Sequence, residues 1–196
     1  MSTHKRQTRK GVVYFITTTC YRWIPLFEIT NFYDEIYKWF DILNGRGHQV
    51  TGYVIMPNHL HALVYVGTDC QEINRTMANA KRFMAYEIIS RLKNSGKTAL
   101  LGRLRDGVTD SDAGKRKLHQ VFQHSFDCRP CYGRNFFEQK LNYIHRNPCK
   151  GKWRLADPYY EYPHSSARYY VTGVHADYPV YDYRLLSDFR VSRRGP

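Results

Sequence analysis

Apolar residues along this chain alternate between two periods. Val12-Val13-Tyr14-Phe15-Ile16-Thr17-Thr18-Thr19 is a run of β-branched and aromatic residues, which predicts a strand over 12–19. Tyr33, Ile36, Tyr37, Phe40 and Leu43 then recur at helical spacing and predict a helix over 30–43, stopped by Asn44-Gly45. Two β-rich runs, 49–56 and 60–66, flank Pro57-Asn58 and read as an antiparallel pair joined by a tight turn, with His59 and His61 opening the second strand. Ile73, Met77, Ala80, Met84, Ile88 and Leu92 define a long helix whose other face carries Arg75, Lys81, Arg82, Arg91 and Lys93. Residues 94–117 mix Gly, Ser, Asp and Lys around a brief apolar patch, so an irregular, partly disordered insertion is expected there. The alternation over 119–126 predicts a further strand, and Phe137, Leu141 and Ile144 a helix over 134–145. Pro148 disfavours helical geometry at the residue before it, which puts Asn147 at that helix's end. The aromatic, Pro-punctuated stretch 153–170 is expected to wrap the core.

The order strand, helix, strand, strand, helix, strand, helix implies an α+β fold: a ferredoxin-like (RRM-like) antiparallel sheet with helices packed on one face. At 196 residues the chain is about one domain long. It reads as a basic arm (1–10), a core (11–150) and an aromatic wrap and tail (151–196), without internal repeats.

Charge narrows the partner. Thirty Lys and Arg against 17 Asp and Glu leave a net +13, which favours a polyanion, with nucleic acid first. On the long helix, Lys81 and Arg82 are the best-placed phosphate contacts. No apolar stretch approaches the ~20 residues of a membrane span, and the basic opening leads into no apolar signal core, so a cytosolic protein without a membrane partner is expected. Five cysteines without framework spacing fit a reducing compartment, and the lone Cys128-Arg129-Pro130-Cys131 lacks the second half of a zinc site.

The candidate chemistry lies in two places. His59-Leu60-His61 puts two imidazoles two residues apart on a strand, where both side chains face the same way and can address one ion. Far downstream, Tyr143 and Asn147 in Tyr143-Ile144-His145-Arg146-Asn147-Pro148 are one helical turn apart, able to bring a nucleophilic oxygen and a third ligand to that ion. Each half alone also reads as ordinary structure. A His pair on a strand is commonly just hydrogen-bonded, and among 17 tyrosines most are packing residues.

Taken together, four ordered motifs resemble a family: Tyr14-Phe15-Ile16-Thr17, Met56-Pro57-Asn58-His59-Leu60-His61, Tyr143-Ile144-His145-Arg146-Asn147-Pro148, and Tyr162-Pro163-His164-Ser165-Ser166-Ala167-Arg168-Tyr169. They are similar to those of the HUH single-tyrosine transposases, and within them the REP-associated tyrosine transposases, from about Gly11 to Tyr170. The resemblance implies that His59 and His61 bind a divalent metal, that Asn147 is its third protein ligand and that Tyr143 is the nucleophile. Mg²⁺ or Mn²⁺ fits a mixed imidazole and amide site without a thiolate. It further implies cleavage and strand transfer on single-stranded or hairpin DNA of the palindromic REP type through a 5′-phosphotyrosine, by a monomer rather than a dimer. The chain departs from the family pattern in 94–117 and after Tyr170. Two other readings stay open: a non-catalytic single-stranded nucleic-acid-binding module with an RRM-like sheet, and a metal-dependent hydrolase using activated water.

Overall fold

A computed structural model describes residues 9–67, 73–114, 117–124, 127–151 and 153–186. Strand β1 (Val12–Thr19) is followed by a helical turn α1 (Leu26–Ile29) and helix α2 (Tyr33–Gly45). Strands β2 (His48–Met56) and β3 (His59–Val66) are joined by the two-residue turn at Pro57 and Asn58. Helix α3 (Ile73–Asn94) comes next, then α4 (Thr98–Arg105), α5 (Asp110–Ala113), strand β4 (Asp127–Cys131), helix α6 (Arg134–His145) and helix α7 (Ala167–Thr172).

The four strands form one antiparallel sheet in the order β2-β3-β1-β4. Because side chains alternate along a strand, β1 feeds both faces. Tyr14 and Ile16 enter a core with Ile36, Phe40 and Leu43 of α2 and Met77, Ile88 and Leu92 of α3. These two helices are the expected layer on one face. Val13 and Phe15 point the other way, into a smaller core with Val54, Leu63 and, from α6, Phe137, Leu141 and Ile144. The α6 helix therefore covers part of the opposite face. Its close approach depends on Gly52, where β2 slips register against β3 between Val50 and Gly52. A Cβ at Gly52 would lie 2.7 Å from Leu141 Cδ1, well inside van der Waals contact.

Two expected elements differ. The irregular insertion expected over 94–117 holds α4 and α5 among its described residues. Leu101 and Leu104, one turn apart, are buried on the first core, and the Thr109 hydroxyl accepts from the Asp112 N–H to cap α5. One helical turn of apolar spacing is too short to stand out among Gly, Asp and Lys. The strand expected over 119–126 contributes only a single bridge between Cys20 and Phe122, with 125–126 outside the described residues; the fourth strand is β4. Pro130 masks it in the sequence, but β4 is an edge strand paired only with β1, where a missing N–H is tolerated. Its register puts Cys128 opposite Ile16 and Cys131 opposite Val13, on different faces, so this CxxC cannot share a metal.

The wrap after α6 covers the other sheet edge. Ile55 N–H donates to the His164 carbonyl at 2.8 Å, Ser166 N–H to the Tyr53 carbonyl at 3.0 Å, and the Tyr162 hydroxyl to the Ile55 carbonyl at 2.8 Å. The motif around His164 thus occupies the backbone edge of β2 that a bare strand would leave unpaired.

Candidate functional site

The tight Pro57–Asn58 turn starts β3 at His59, opposite Thr19, and places His61 opposite Thr17. Cross-strand partners share a face, so both histidines stand with Phe15 on the side covered by α6. Their rings are 4.9 Å apart between centroids, and both are buried.

Each ring is held from behind. Asn58 Nδ2 donates to the Trp23 carbonyl at 3.0 Å, which can only accept. That contact turns Asn58 Oδ1 toward His59 Nδ1, 2.7 Å away, so Nδ1 must carry the proton and Nε2 the lone pair. His61 Nδ1 lies 2.8 Å from the hydroxyl of Thr17, its cross-strand partner. Burial pushes His59 down to about 4. Burial, then the nearby His59 and Lys140, hold His61 well below the usual imidazole range. Both rings are therefore neutral at pH 7, the form that ligates a metal; the Asn58 oxygen is a partner of the kind that orients a metal-bound histidine, while the Thr17 hydroxyl can serve either tautomer of His61.

Helix α6 brings the phenol. Phe137, Leu141 and Ile144 bury one stripe against the sheet, and Tyr143 flanks that stripe at 44 % exposure. Its ring meets His61 edge-on at 5.5 Å and Phe15 at 6.3 Å, while Phe15 stacks on His61 at 5.2 Å. Two ammonium groups flank the same ring: Lys140 Nζ at 5.8 Å and Lys150 Nζ at 5.9 Å from its centroid. His59, His61 and Tyr143, 84 residues apart in sequence at the extremes, thus form one cluster.

Asn147 sits just beyond α6, opening a 3₁₀ turn (Asn147–Cys149). Its Nδ2 is buried without a hydrogen-bond partner, and among the described residues no ring contact or hydrogen bond joins it to either histidine. No third His, Cys, Asp or Glu joins the pair among the described residues, so the donor set available to a cation here is two neutral imidazoles plus amide or external oxygens. A divalent ion fits that set on chemical grounds. Lys81 and Arg82 are elsewhere: α3 lies on the first face, where Lys81 donates to the Gln123 carbonyl at 3.2 Å and the Arg82 guanidinium sits 5.0 Å from the Phe83 ring.

Several residues at the site escaped sequence reasoning. Lys140 had a readable signal, three residues before Tyr143 and so on the same side of the helix. Asn58 adjoins His59 but only the Trp23 carbonyl settles its orientation. Thr17, Trp23 and Lys150 reach the site through strand register and loop path, which leave no local trace.

No protein-family model matches this chain, and no curated protein matches it. Its fold is similar to a solved structure of the REP-associated tyrosine transposase bound to a REP hairpin, with a TM-score of 0.54 and 17 % identity over 100 % of this chain and 99 % of that one. At that identity the likeness establishes the fold. Among the described residues no helix is long and apolar enough to cross a membrane.

Proposed function

We propose that this protein is a metal-assisted single-tyrosine DNA strand transferase acting on single-stranded or hairpin DNA of the REP type. The observation that carries the reading is the meeting of Tyr143 with His61, 5.5 Å apart between rings, at a pair of neutral, oriented imidazoles. His59 and His61, with the Asn147 amide as third ligand, would hold Mg²⁺ or Mn²⁺; the ion, when bound, offsets phosphate charge and polarises the scissile phosphodiester.

Tyr143 Oη gives up its proton and attacks phosphorus in line; the P–O bond to tyrosine forms as the P–O bond to the 3′-oxygen breaks, and the leaving 3′-oxygen takes up a proton, so none is consumed overall. The product is a 5′-phosphotyrosine and a free 3′-hydroxyl, so bond energy is kept for rejoining. A phenol is ordinarily protonated at neutral pH, and its anion needs positive charge nearby. The ammonium groups of Lys140 and Lys150, 5.8 and 5.9 Å from the centre of the Tyr143 ring, would supply that charge once a phosphate is bound, and a counter-charge for its oxygens. Exposure of the phenol keeps it accessible to a strand. The fold likeness to a hairpin-bound tyrosine transposase supports the substrate class.

The test is incubation of the purified chain with labelled hairpin DNA and Mn²⁺, with and without EDTA, followed by a denaturing gel. A metal-dependent covalent protein–DNA band that is absent in Tyr143→Phe is the expected result. Cleavage without that band would point to a hydrolase, and binding without cleavage over many hairpins to a binding module.

A further inference from the structure

A groove of about 790 Å³ lies between the outer face of α3 and the segment 117–124, away from the histidine pair. Its lining includes Lys81, Arg82, Lys93 and Lys117 with His119 and His124, and no Asp or Glu is among the described lining residues. Beneath lie buried Val121 and Phe122, and Tyr86 stands at the wall with 65 % of its surface exposed.

The cations feel one another. Lys81 is pushed down to about 8 by burial and by Lys117. His119 is lowered by burial, then by Arg105 and Lys93. Lys117 is paired with Asp112 at 2.9 Å, and His124 is 3.6 Å from the same carboxylate, while Arg91 further along α3 is tied to Asp34, Glu35 and Glu87. Among the described residues Arg82 and Lys93 make no ion pair of that kind, and both border the groove. Its wall is tied to the strand that pairs with the histidines: Gln123 N–H donates to the Thr19 carbonyl at 2.9 Å, and Thr19 is the cross-strand partner of His59.

We infer that this groove binds a single-stranded segment of nucleic acid, with phosphates on Arg82, Lys93 and Lys81 and bases against the exposed Tyr86 and Leu118. The inference rests on the nucleic-acid partner proposed above and extends it to a second surface. Charge complementarity selects a polyanion. The exposed Tyr86 ring selects a single strand over a duplex, because unpaired bases expose faces that stack on aromatics whereas a duplex presents mainly phosphates.

The experiment is fluorescence anisotropy of the full chain with a labelled oligothymidylate of about 12 nucleotides, which forms no hairpin, at several salt concentrations. Arg82→Gln with Lys93→Gln should lower the slope of log affinity against log salt by about 1.4, two phosphate contacts at roughly 0.7 each. Tyr86→Ala should weaken binding about tenfold. A matched duplex should be less sensitive to Tyr86→Ala, and inorganic phosphate should displace the strand no better than chloride at equal ionic strength. Unchanged affinity and slope in these exposed variants would overturn the inference, as would full competition by phosphate alone, which marks a simple anion site. The covalent-adduct assay is read separately on the unmodified chain. An adduct with groove-independent strand binding sinks the groove alone; groove-dependent binding with no adduct on any hairpin sinks the catalytic reading alone.

Discussion

Asn58 Oδ1 accepts the His59 Nδ1 proton at 2.7 Å while Asn58 Nδ2 is held by the Trp23 carbonyl, so one carboxamide both chooses the histidine tautomer and fixes the ring. If His59 is a metal ligand through Nε2, losing this partner should weaken Mn²⁺ binding about 10- to 100-fold, the usual effect of removing a ligand's orienting group. Asn58→Ala followed by Mn²⁺ titration, read by electron paramagnetic resonance, checks this. An affinity equal to the unmodified protein's would show that His59 does not ligate the ion.

Tyr143 lies at the surface of α6 with 44 % of its area exposed, and its ring contacts survive loss of the hydroxyl. Tyr143→Phe should therefore unfold within about 0.5 kcal/mol of the parent, as surface changes usually do, while covalent adduct formation disappears. Urea denaturation and the denaturing gel together measure both. A large loss of stability would make the missing adduct uninformative and a structural role the better account.

Buried histidines, His59 and His145 among them, predict acid sensitivity. Burial pushes His59 down to about 4 and His145, whose Nε2 is 2.9 Å from the Ser166 hydroxyl, down to about 3. In the unfolded chain both titrate near 6.5, so below that pH the unfolded state binds protons that the folded state refuses. Stability is then full above pH 6.5 and falls as pH drops toward the folded values. At pH 5 the loss is about 2 kcal/mol per histidine. Carboxylates held low by arginines, such as Asp34 by Arg91 and Glu138 by Arg134, add to it only in more acidic solution. Urea midpoints from pH 7.5 to 5 in EDTA should fall steadily; a flat profile would mean these rings are solvated.

Gly52 is the place where β2 lets α6 come close, with a Cβ there only 2.7 Å from Leu141 Cδ1 and 3.3 Å from Leu63 Cδ1. Gly52→Ala should cost about 1–3 kcal/mol through overpacking. Because the shift is transmitted to the helix bearing Tyr143, adduct yield should fall more than the folded fraction does. Yield tracking the folded fraction would separate α6 docking from catalysis.

Much of this architecture was legible locally. The residues of β1 were placed from its β-branched run, β2 and β3 from Pro57-Asn58 between two apolar runs, α3 from its apolar repeat, and α6 from Phe137, Leu141 and Ile144 with Pro148 beyond. The pairing of His59 with His61 on one face needed only the two-residue repeat of a strand. These features arise from backbone geometry and neighbours close in sequence, and both leave a period in the chain.

Other features were settled only by contacts between distant segments. The approach of α6 to the second sheet face, the edge position that makes Pro130 acceptable in β4, the burial of Leu101 and Leu104, and the meeting of Thr17, Trp23, Lys140 and Lys150 around the histidines and Tyr143 all belong here. A side chain's partner across a sheet or between layers depends on register, twist and packing, none of which a local pattern of polar and apolar residues specifies.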